Sequence, residues 1–172
     1  MKRIRYIVAM SVDGYIAGPK GEYDWITMDS EVDFAALWAQ FDTLIMGRLT
    51  YEVARPRLGD KAFEGFKVVV VSRTMKPAND SRVMLISNLT RDRVRELRDK
   101  AAKDIWLMGG GDLFRTLLEM HEVDTVEVSA IPVLLGGGVK LLSGPAERTM
   151  LKLTDQKVYK SGRVSLVYDV EK

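Results

Sequence analysis

Gly47-Arg48-Leu49-Thr50, Ser72-Arg73-Thr74 and Gly109-Gly110-Gly111 are the stretches of this sequence whose residue types could do chemistry together. Each follows a short apolar run that reads as a buried strand: Thr43 to Met46, Val68 to Val71 and Ile105 to Met108. Ligands of open α/β sheets bind beyond the carboxyl ends of the strands, so all three turns stand where a ligand would sit. The glycines lead straight into Asp112 to Glu119, which carries Leu113, Phe114, Leu117 and Leu118 at helical spacing. A glycine turn at a helix N-terminus offers unpaired N–H donors and the positive end of the helix dipole, with no Cβ in the way. That suits a phosphate or pyrophosphate. The same glycines would equally serve tight packing alone, since Gly-Gly-Gly is not a full dinucleotide fingerprint. Arg48 and Arg73 follow two separate strands. With Ser72 they suit a phosphate monoester such as the 2′-phosphate of NADP, the alternative being two solvated surface arginines.

Groups for hydrolysis or metal binding are scarce. The absence of cysteine excludes disulfides, thiolate metal sites and a cysteine nucleophile. His121 is the single histidine and follows a predicted helix, where a satisfied or exposed imidazole is the ordinary outcome. No Ser/His/Asp order and no metal-ligand spacing stands out. Asp13 is a turn residue or a carboxylate beside a cofactor, and Glu31 and Asp33 open the first predicted helix, where the dipole favours carboxylates. Trp25, Trp38 and Trp106 read as core or pocket wall. If this is an enzyme, the cofactor does the difficult chemistry and the protein positions it.

The elements that must position these residues alternate between strand and helix. Strands are expected over Ile4 to Met10, Thr43 to Met46, Val68 to Val71, Val83 to Ile86, Ile105 to Met108 and Val123 to Ile131. Helices are expected over Val32 to Phe41, capped by Asp29 or Ser30 with Val32, Ala35, Ala36 and Ala39 as the apolar positions, and from Thr50 to Arg55. Thr90 to Ala102 reads as a charged amphipathic helix with Val94 and Leu97 inward. Pro56 to Gly65 reads as an irregular connection, Ser11 to Gly18 as a loop, and Leu134 to Leu142 as a second glycine loop. Met150 to Tyr159 and Val164 to Val170 form a closing hairpin. The pattern implies one α/β domain over residues 1–172, a sandwich with a mainly parallel sheet and an antiparallel edge. A net charge of +2 is too small to argue for nucleic acid. Asp13 and Gly14 interrupt the N-terminal apolar stretch before a signal peptide or membrane span could form, so a cytoplasmic location with no membrane partner is expected.

Four segments in order resemble the dihydrofolate reductase fold, and specifically the dihydrofolate-reductase-like family that includes the riboflavin-biosynthesis reductase domain. Ala9-Met-Ser-Val-Asp-Gly-Tyr-Ile-Ala17 resembles its opening strand and loop, and Leu44-Ile-Met-Gly-Arg-Leu-Thr-Tyr51 its cofactor turn. Leu107-Met-Gly-Gly-Gly-Asp-Leu-Phe114 resembles its glycine turn and helix, and Pro132-Val-Leu-Leu-Gly-Gly-Gly138 is typical of the riboflavin-type branch. The resemblance implies a three-layer α/β sandwich with helices on both faces, NADPH as cofactor, and hydride transfer to a C=N or C=O bond of a pterin- or pyrimidine-like heterocycle.

Carried over by position, Ala9, Ile16 and Ala17 would line the nicotinamide. Gly47, Arg48 and Thr50 would hold the pyrophosphate and adenosine, and Ser72 and Arg73 would meet the 2′-phosphate. Met108, Gly109, Gly110, Gly111, Asp112 and Leu113 would wrap the pyrophosphate. On the substrate side the resemblance implies Trp25, Ala35 and Ser129, with Glu31 as the catalytic or substrate-orienting carboxylate. The chain departs from the family pattern at Leu49, Ala35 and Phe66, and at Gly109, where riboflavin-type reductases read glutamate. Those departures lie mostly on the substrate side, so an NADP(H)-binding sensor or partner protein without its own chemistry is the rival expectation. A homodimer through the Leu134 to Leu142 stretch and the final hairpin is compatible with both.

Overall fold

The computed structural model describes residues 1–27, 29–58, 63–76 and 81–171, leaving aside the side chains of 57 and 58. The elements run β1 (Ile4–Ser11), β2 (Tyr15–Ala17), α1 (Phe34–Trp38), β3 (Phe41–Gly47), α2 (Arg48–Leu58), β4 (Lys67–Val71) and β5 (Val83–Ile86). They continue as α3 (Arg91–Lys100), β6 (Asp104–Gly109), α4 (Gly111–Glu119), β7 (Thr125–Ile131), β8 (Val139–Lys140), β9 (Leu151–Val158) and β10 (Val164–Val170). One sheet takes the order β5-β4-β3-β6-β1-β7-β10-β9, while β2 and β8 pair in a separate ribbon. Strands β1 and β3 to β7 pair in parallel, and β10 runs antiparallel to both of its neighbours. The expected mainly parallel sheet with an antiparallel C-terminal hairpin is therefore what the chain builds.

Burial explains the order. The valines of β4 and the apolar run of β3 are buried on both faces, as interior parallel strands must be. One face presents Ile4, Tyr6, Ile45, Val69, Ile105 and Leu107 to Val94 and Leu97 of α3 and Leu113, Phe114 and Leu117 of α4. Tyr6 stacks on Phe114 with ring centroids 3.9 Å apart. The other face packs Leu44, Met46, Val68 and Val70 under Tyr51 of α2 and Phe63, with Trp106 and Met108 alongside. On β7 that second face buries the polar Thr125 and Glu127, and no residue of α1 is buried against it. Ile7, Ala9 and Ser129 are only half-buried there.

Three expectations need correction. The first helix starts at Phe34 and is capped by Asp33, whose carboxylate accepts the Ala36 N–H at 2.9 Å. Asp29 is engaged elsewhere, accepting from the Glu31 N–H and the Ser161 hydroxyl, so it does not cap the helix. Glu31 consequently precedes the helix instead of opening it, and Ala35, Ala36 and Ala39 are exposed while Phe34 and Leu37 are half-buried. The second helix begins at once after β3, at Arg48, and runs through Pro56. Of the expected irregular connection, residues 59–62 lie outside the described residues. The ribbon of β2 and β8 lies within two stretches read as loops. Among the described residues, no helix is long and apolar enough to cross a membrane.

Candidate functional site

The carboxyl edge of the sheet brings the predicted turns together. β3 ends at Gly47 in register with Val71 of β4, so Arg48 and Ser72 leave the sheet side by side. Met46 is also in register with Gly109, the last residue of β6, so the glycine turn lies on the other flank of the same strand. Gly109 has φ +122°, a conformation L side chains rarely adopt, and the Gly109–Gly110 peptide is cis. α4 follows immediately. Its first intrahelical bond runs from the Phe114 N–H to the Gly110 carbonyl (3.1 Å), which leaves the N–H groups of Gly111, Asp112 and Leu113 without helical acceptors. Gly110, the N-cap, provides no side-chain acceptor for them.

The glycines divide into two kinds. A Cβ added at Gly47 would meet nothing nearer than the Gly110 nitrogen at 3.8 Å and the Gly109 oxygen at 3.9 Å. Added at Gly110 or Gly109, it would find only the Thr50 hydroxyl, at 3.8 and 3.9 Å. These three face a gap that protein atoms do not fill. At Gly111, by contrast, a Cβ would stand 2.6 Å from both the Lys140 carbonyl and the Ser143 hydroxyl, so this glycine serves packing. The open gap, Thr50 and the unpaired donors of α4 fit a pyrophosphate.

The basic residues are less tightly gathered. Arg48 donates from Nη1 to both carboxylate oxygens of Glu52, at 3.0 and 2.8 Å, one turn along α2. Arg73 is exposed and has no ion-pair partner among the described residues. Ser72 Oγ accepts from the backbone N–H groups of Thr74 (3.2 Å) and Met75 (3.0 Å), which shapes the turn and leaves its own proton to donate. Leu113 is buried in the core, so only its backbone is available at the turn, and Asp112 is exposed.

The flank nearest β1 is closed by the ribbon. Half-buried Ile16 and Ala17 sit on β2, with Ala17 opposite Val139. Asp13 locks this arrangement: its carboxylate accepts from the Leu135 N–H at 3.1 Å and the Gly136 N–H at 2.7 Å. A hydrogen bond from the Ser11 hydroxyl, with those two amides, holds the Asp13 carboxyl down at about 2. Of the two roles open to Asp13, the structure shows the turn-building one. A carboxyl lowered in the folded state stabilises it above the unfolded value and loses that effect as pH falls through the folded value. The ribbon should therefore hold from neutral pH to about pH 4 and loosen through about pH 2. The NMR shifts of the Leu135 and Gly136 amides should titrate near 2, and a midpoint near 4 would show that the lock is absent.

Ala9 of β1, expected at the nicotinamide, is in register with Ser129 of β7, expected at the substrate, and Ser129 with Ser165 of β10. Ser129 Oγ lies 3.1 Å from Ser165 Oγ and accepts from Arg163 Nη2 at 2.7 Å. Trp25 is half-buried, its indole N–H donating to the Glu22 carbonyl, and Ala35 is exposed on α1. Glu31 is held on the β9–β10 hairpin: its carboxylate accepts the Lys160 N–H at 3.1 Å, with Lys160 Nζ at 3.7 Å. The residues expected to hold a cofactor thus line one edge of the sheet, while those expected to meet a substrate spread between β7, α1 and the hairpin turn. Arg163 is the part that reading the sequence did not place, because nothing local marks it as facing β7. His121 is exposed in the turn after α4. A cleft of about 420 Å³ between β5 and α3 shares none of these residues.

The model of the RibD C-terminal domain family matches residues 2–167. The uncharacterized Bacillus subtilis (strain 168) protein YyaP is 32% identical over 178 residues, covering 97% of this chain and 94% of its own. A candidate riboflavin biosynthesis protein from Shewanella sp. PV-4 has a similar structure, with a TM-score of 0.85 at 26% identity over 99% of each chain. Dihydrofolate reductase from Enterococcus faecalis, complexed with NADP(H), shares the fold with a TM-score of 0.69 at 18% identity, over 99% of this chain and 97% of that one.

Proposed function

We propose that this chain, which belongs to the RibD C-terminal domain family, is a cytoplasmic NADPH-dependent reductase that transfers hydride to a pterin- or pyrimidine-like heterocycle. Its family and fold are those of reductases. The observation that carries the reading is the gap kept open between Gly47 and Gly109–Gly110, with the free N–H groups of α4 beside it. NADPH, when bound, supplies the hydride, and the chain supplies position. In this reading Met108 to Leu113 hold the pyrophosphate through backbone donors, with Gly47, Arg48 and Thr50 on the adenosine side. Ser72 and Arg73 take the 2′-phosphate, and Ala9, Ile16 and Ala17 bound the nicotinamide. Trp25, Ala35 and Ser129 bound the heterocycle, and Glu31 orients it.

The test is a fluorescence titration with NADPH against NADH. NADPH should bind at least tenfold more tightly, and Arg73→Ala should remove most of that preference, because a guanidinium–phosphate contact contributes about 1.5–3 kcal/mol. Equal, weak binding of both cofactors would end the reductase reading. Glu31→Ala should then slow turnover and leave NADPH affinity intact; unchanged turnover would reduce Glu31 to a tie on the hairpin.

One observation favours a second reading, an NADP(H)-binding sensor or partner protein with no chemistry of its own. The Glu31 carboxylate is engaged by Lys160, and Gly109 offers no acidic side chain in its place. Tight NADPH binding without oxidation across pterins and pyrimidines would select it. For either reading we propose a homodimer. Leu151, Leu153 and Val158 are exposed on β9, opposite Val170, Tyr168 and Val164 on one face, and a second copy would cover them. Light scattering should give twice 19.4 kDa, and a monomer would reject the assembly.

A further inference from the structure

The two edges of the main sheet, β9 and β5, are built differently. β9 is defended against pairing. It carries Lys152, Asp155 and Lys157, and Thr154 is an extra residue opposite the Val167–Tyr168 step of β10. β5 reads Val-Met-Leu-Ile, with no charged residue, no proline and no register shift against β4. The bonds to β4 show which of its groups face outward. The Val68 N–H donates to the Arg82 carbonyl and the Ser72 N–H to the Ile86 carbonyl, so in the alternation of a parallel ladder Arg82, Met84 and Ile86 bond inward. Val83 and Leu85 therefore turn their N–H and C=O groups away from β4, to the side where no strand follows among the described residues. An apolar edge without such defences is a template for an added strand.

Beside that edge runs the cleft of about 420 Å³, walled by β5 and by one stripe of α3: Arg93, Glu96, Leu97 and Lys100. Its middle is apolar, with Met84 48% exposed above buried Ile86 and Leu97. Its ends are cationic. α3 returns antiparallel to β5, which puts Arg93 towards Ile86 and Lys100 towards the start of the strand. The Lys67 ammonium joins that second end, donating to the Lys100 carbonyl at 3.3 Å. Arg93 pairs with Glu96 at 2.9 Å, but an exposed pair one turn apart is worth little and exchanges readily. A second copy pairing edge to edge across a twofold axis would set the Arg93 end against the Lys100 end, and Glu96 against Glu96. Like charge would meet like charge throughout, so the cleft is not self-complementary. Its ends call for acids on a different chain.

We propose that the β5 edge and the α3 cleft form a docking groove for an extended acidic segment of a partner protein, with the pattern acid-x-apolar-x-acid. The segment adds a strand to β5, antiparallel being the more stable arrangement. Its two x residues stand opposite Val83 and Leu85 and exchange backbone hydrogen bonds with them. The other three residues share the face of Met84 and Ile86, so the apolar one enters beside Met84 and Leu97. Acids four residues apart on a strand are about 13 Å apart, and Arg93 and Lys100 about 10 Å apart along the helix, a difference that their long side chains span. The groove shares no residue with the proposed cofactor gap, and the inference does not rest on the reductase reading.

Amide NMR of the whole protein, titrated with the capped peptide Thr-Glu-Thr-Leu-Thr-Glu-Thr, tests the groove. Saturable shifts are expected at the Val83 and Leu85 amides and at Leu97. N-methylation of the two threonines flanking the leucine should abolish them, because those residues donate to the edge. Replacing both glutamates of the peptide by lysine should abolish them too. In the protein, Arg93→Gln with Lys100→Gln should weaken binding about fivefold or more, and Arg95→Gln, on the same helix outside the cleft, should leave it unchanged. Met84→Glu places a carboxylate in the cleft and should prevent docking without lowering the melting temperature, since the side chain is already half exposed. The proposal is overturned by the absence of saturable shifts at Val83 and Leu85, or by equal binding of the glutamate and lysine peptides. Shifts at β5 that follow protein concentration with no peptide present would make a second copy the occupant and overturn it as well.

Discussion

Gly47→Val should cost the protein about a hundredfold or more in NADPH affinity, and Gly47→Ala part of that loss with thermal stability nearly unchanged. The two halves of this expectation come from the same geometry. Gly47 ends β3, a position where valine's strand preference is satisfied, and a Cβ there meets no protein atom within 3.8 Å. The fold has room for a Cβ. In valine the two γ-methyl groups would stand between Gly47 and Gly109–Gly110, across the approach to the free N–H groups of α4. Losing two charge-assisted hydrogen bonds to a pyrophosphate amounts to about 3–6 kcal/mol, and 1.4 kcal/mol is a factor of ten in Kd. Gly47→Ala should fall between wild type and valine. A valine variant that binds NADPH normally would mean that the gap is not where the cofactor lies, and the proposed function would lose its main support.

How much of this was legible in the sequence depends on how far apart the interacting residues are. The strand interiors were readable because β3, β4 and β6 are continuous apolar runs whose burial needs no distant information. α3 was readable because Val94 and Leu97 recur at helical spacing and Thr90 is its cap, accepting the Arg93 N–H. The start of α1 was not, because Asp29, Ser30 and Asp33 are all competent caps. The choice is made by Ser161, 132 residues away, which takes Asp29. The ribbon has the same character, for strands of three and two residues carry no periodicity. The glycines make the point most sharply. Gly109, Gly110 and Gly111 are identical letters in a row, yet two face an open gap and the third is packed against Lys140 and Ser143. Which is which is decided by the second glycine loop, invisible from Gly111 itself. The surroundings of Ser129 and Glu31 were the least legible for this reason, since both meet their partners only across the hairpin.

That second loop has its own critical position, and Gly138→Ala should detach the ribbon without unfolding the sheet. Gly138 has φ +134°, and a Cβ there would lie 2.1 Å from the Ala17 carbonyl oxygen and 2.9 Å from the Gly18 backbone. Neither partner is a flexible side-chain end, so something must shift. Strain of this kind costs about 1–3 kcal/mol for the backbone conformation alone, before the overlap is counted. The β2–β8 ribbon is five residues long in all and lies outside the main sheet, so opening it is the cheaper response. Amide exchange should accelerate across Tyr15–Ala17 and at Leu141, whose N–H now bonds the Gly14 carbonyl, while β1, β6 and β7 keep their protection. The melting temperature should fall by only a few degrees. Gly137→Ala is the matched control: its neighbour is the Pro19 ring at 3.9 Å, and it should be silent. In the proposed site the ribbon carries Ile16 and Ala17, so NADPH affinity should drop in the Gly138 variant and not in the Gly137 variant. Unaltered exchange at Leu141 in Gly138→Ala would show that the loop absorbs the methyl group by itself. Accelerated exchange with NADPH affinity intact would place the ribbon outside the cofactor site and confine its role to closing α4 and the sheet edge.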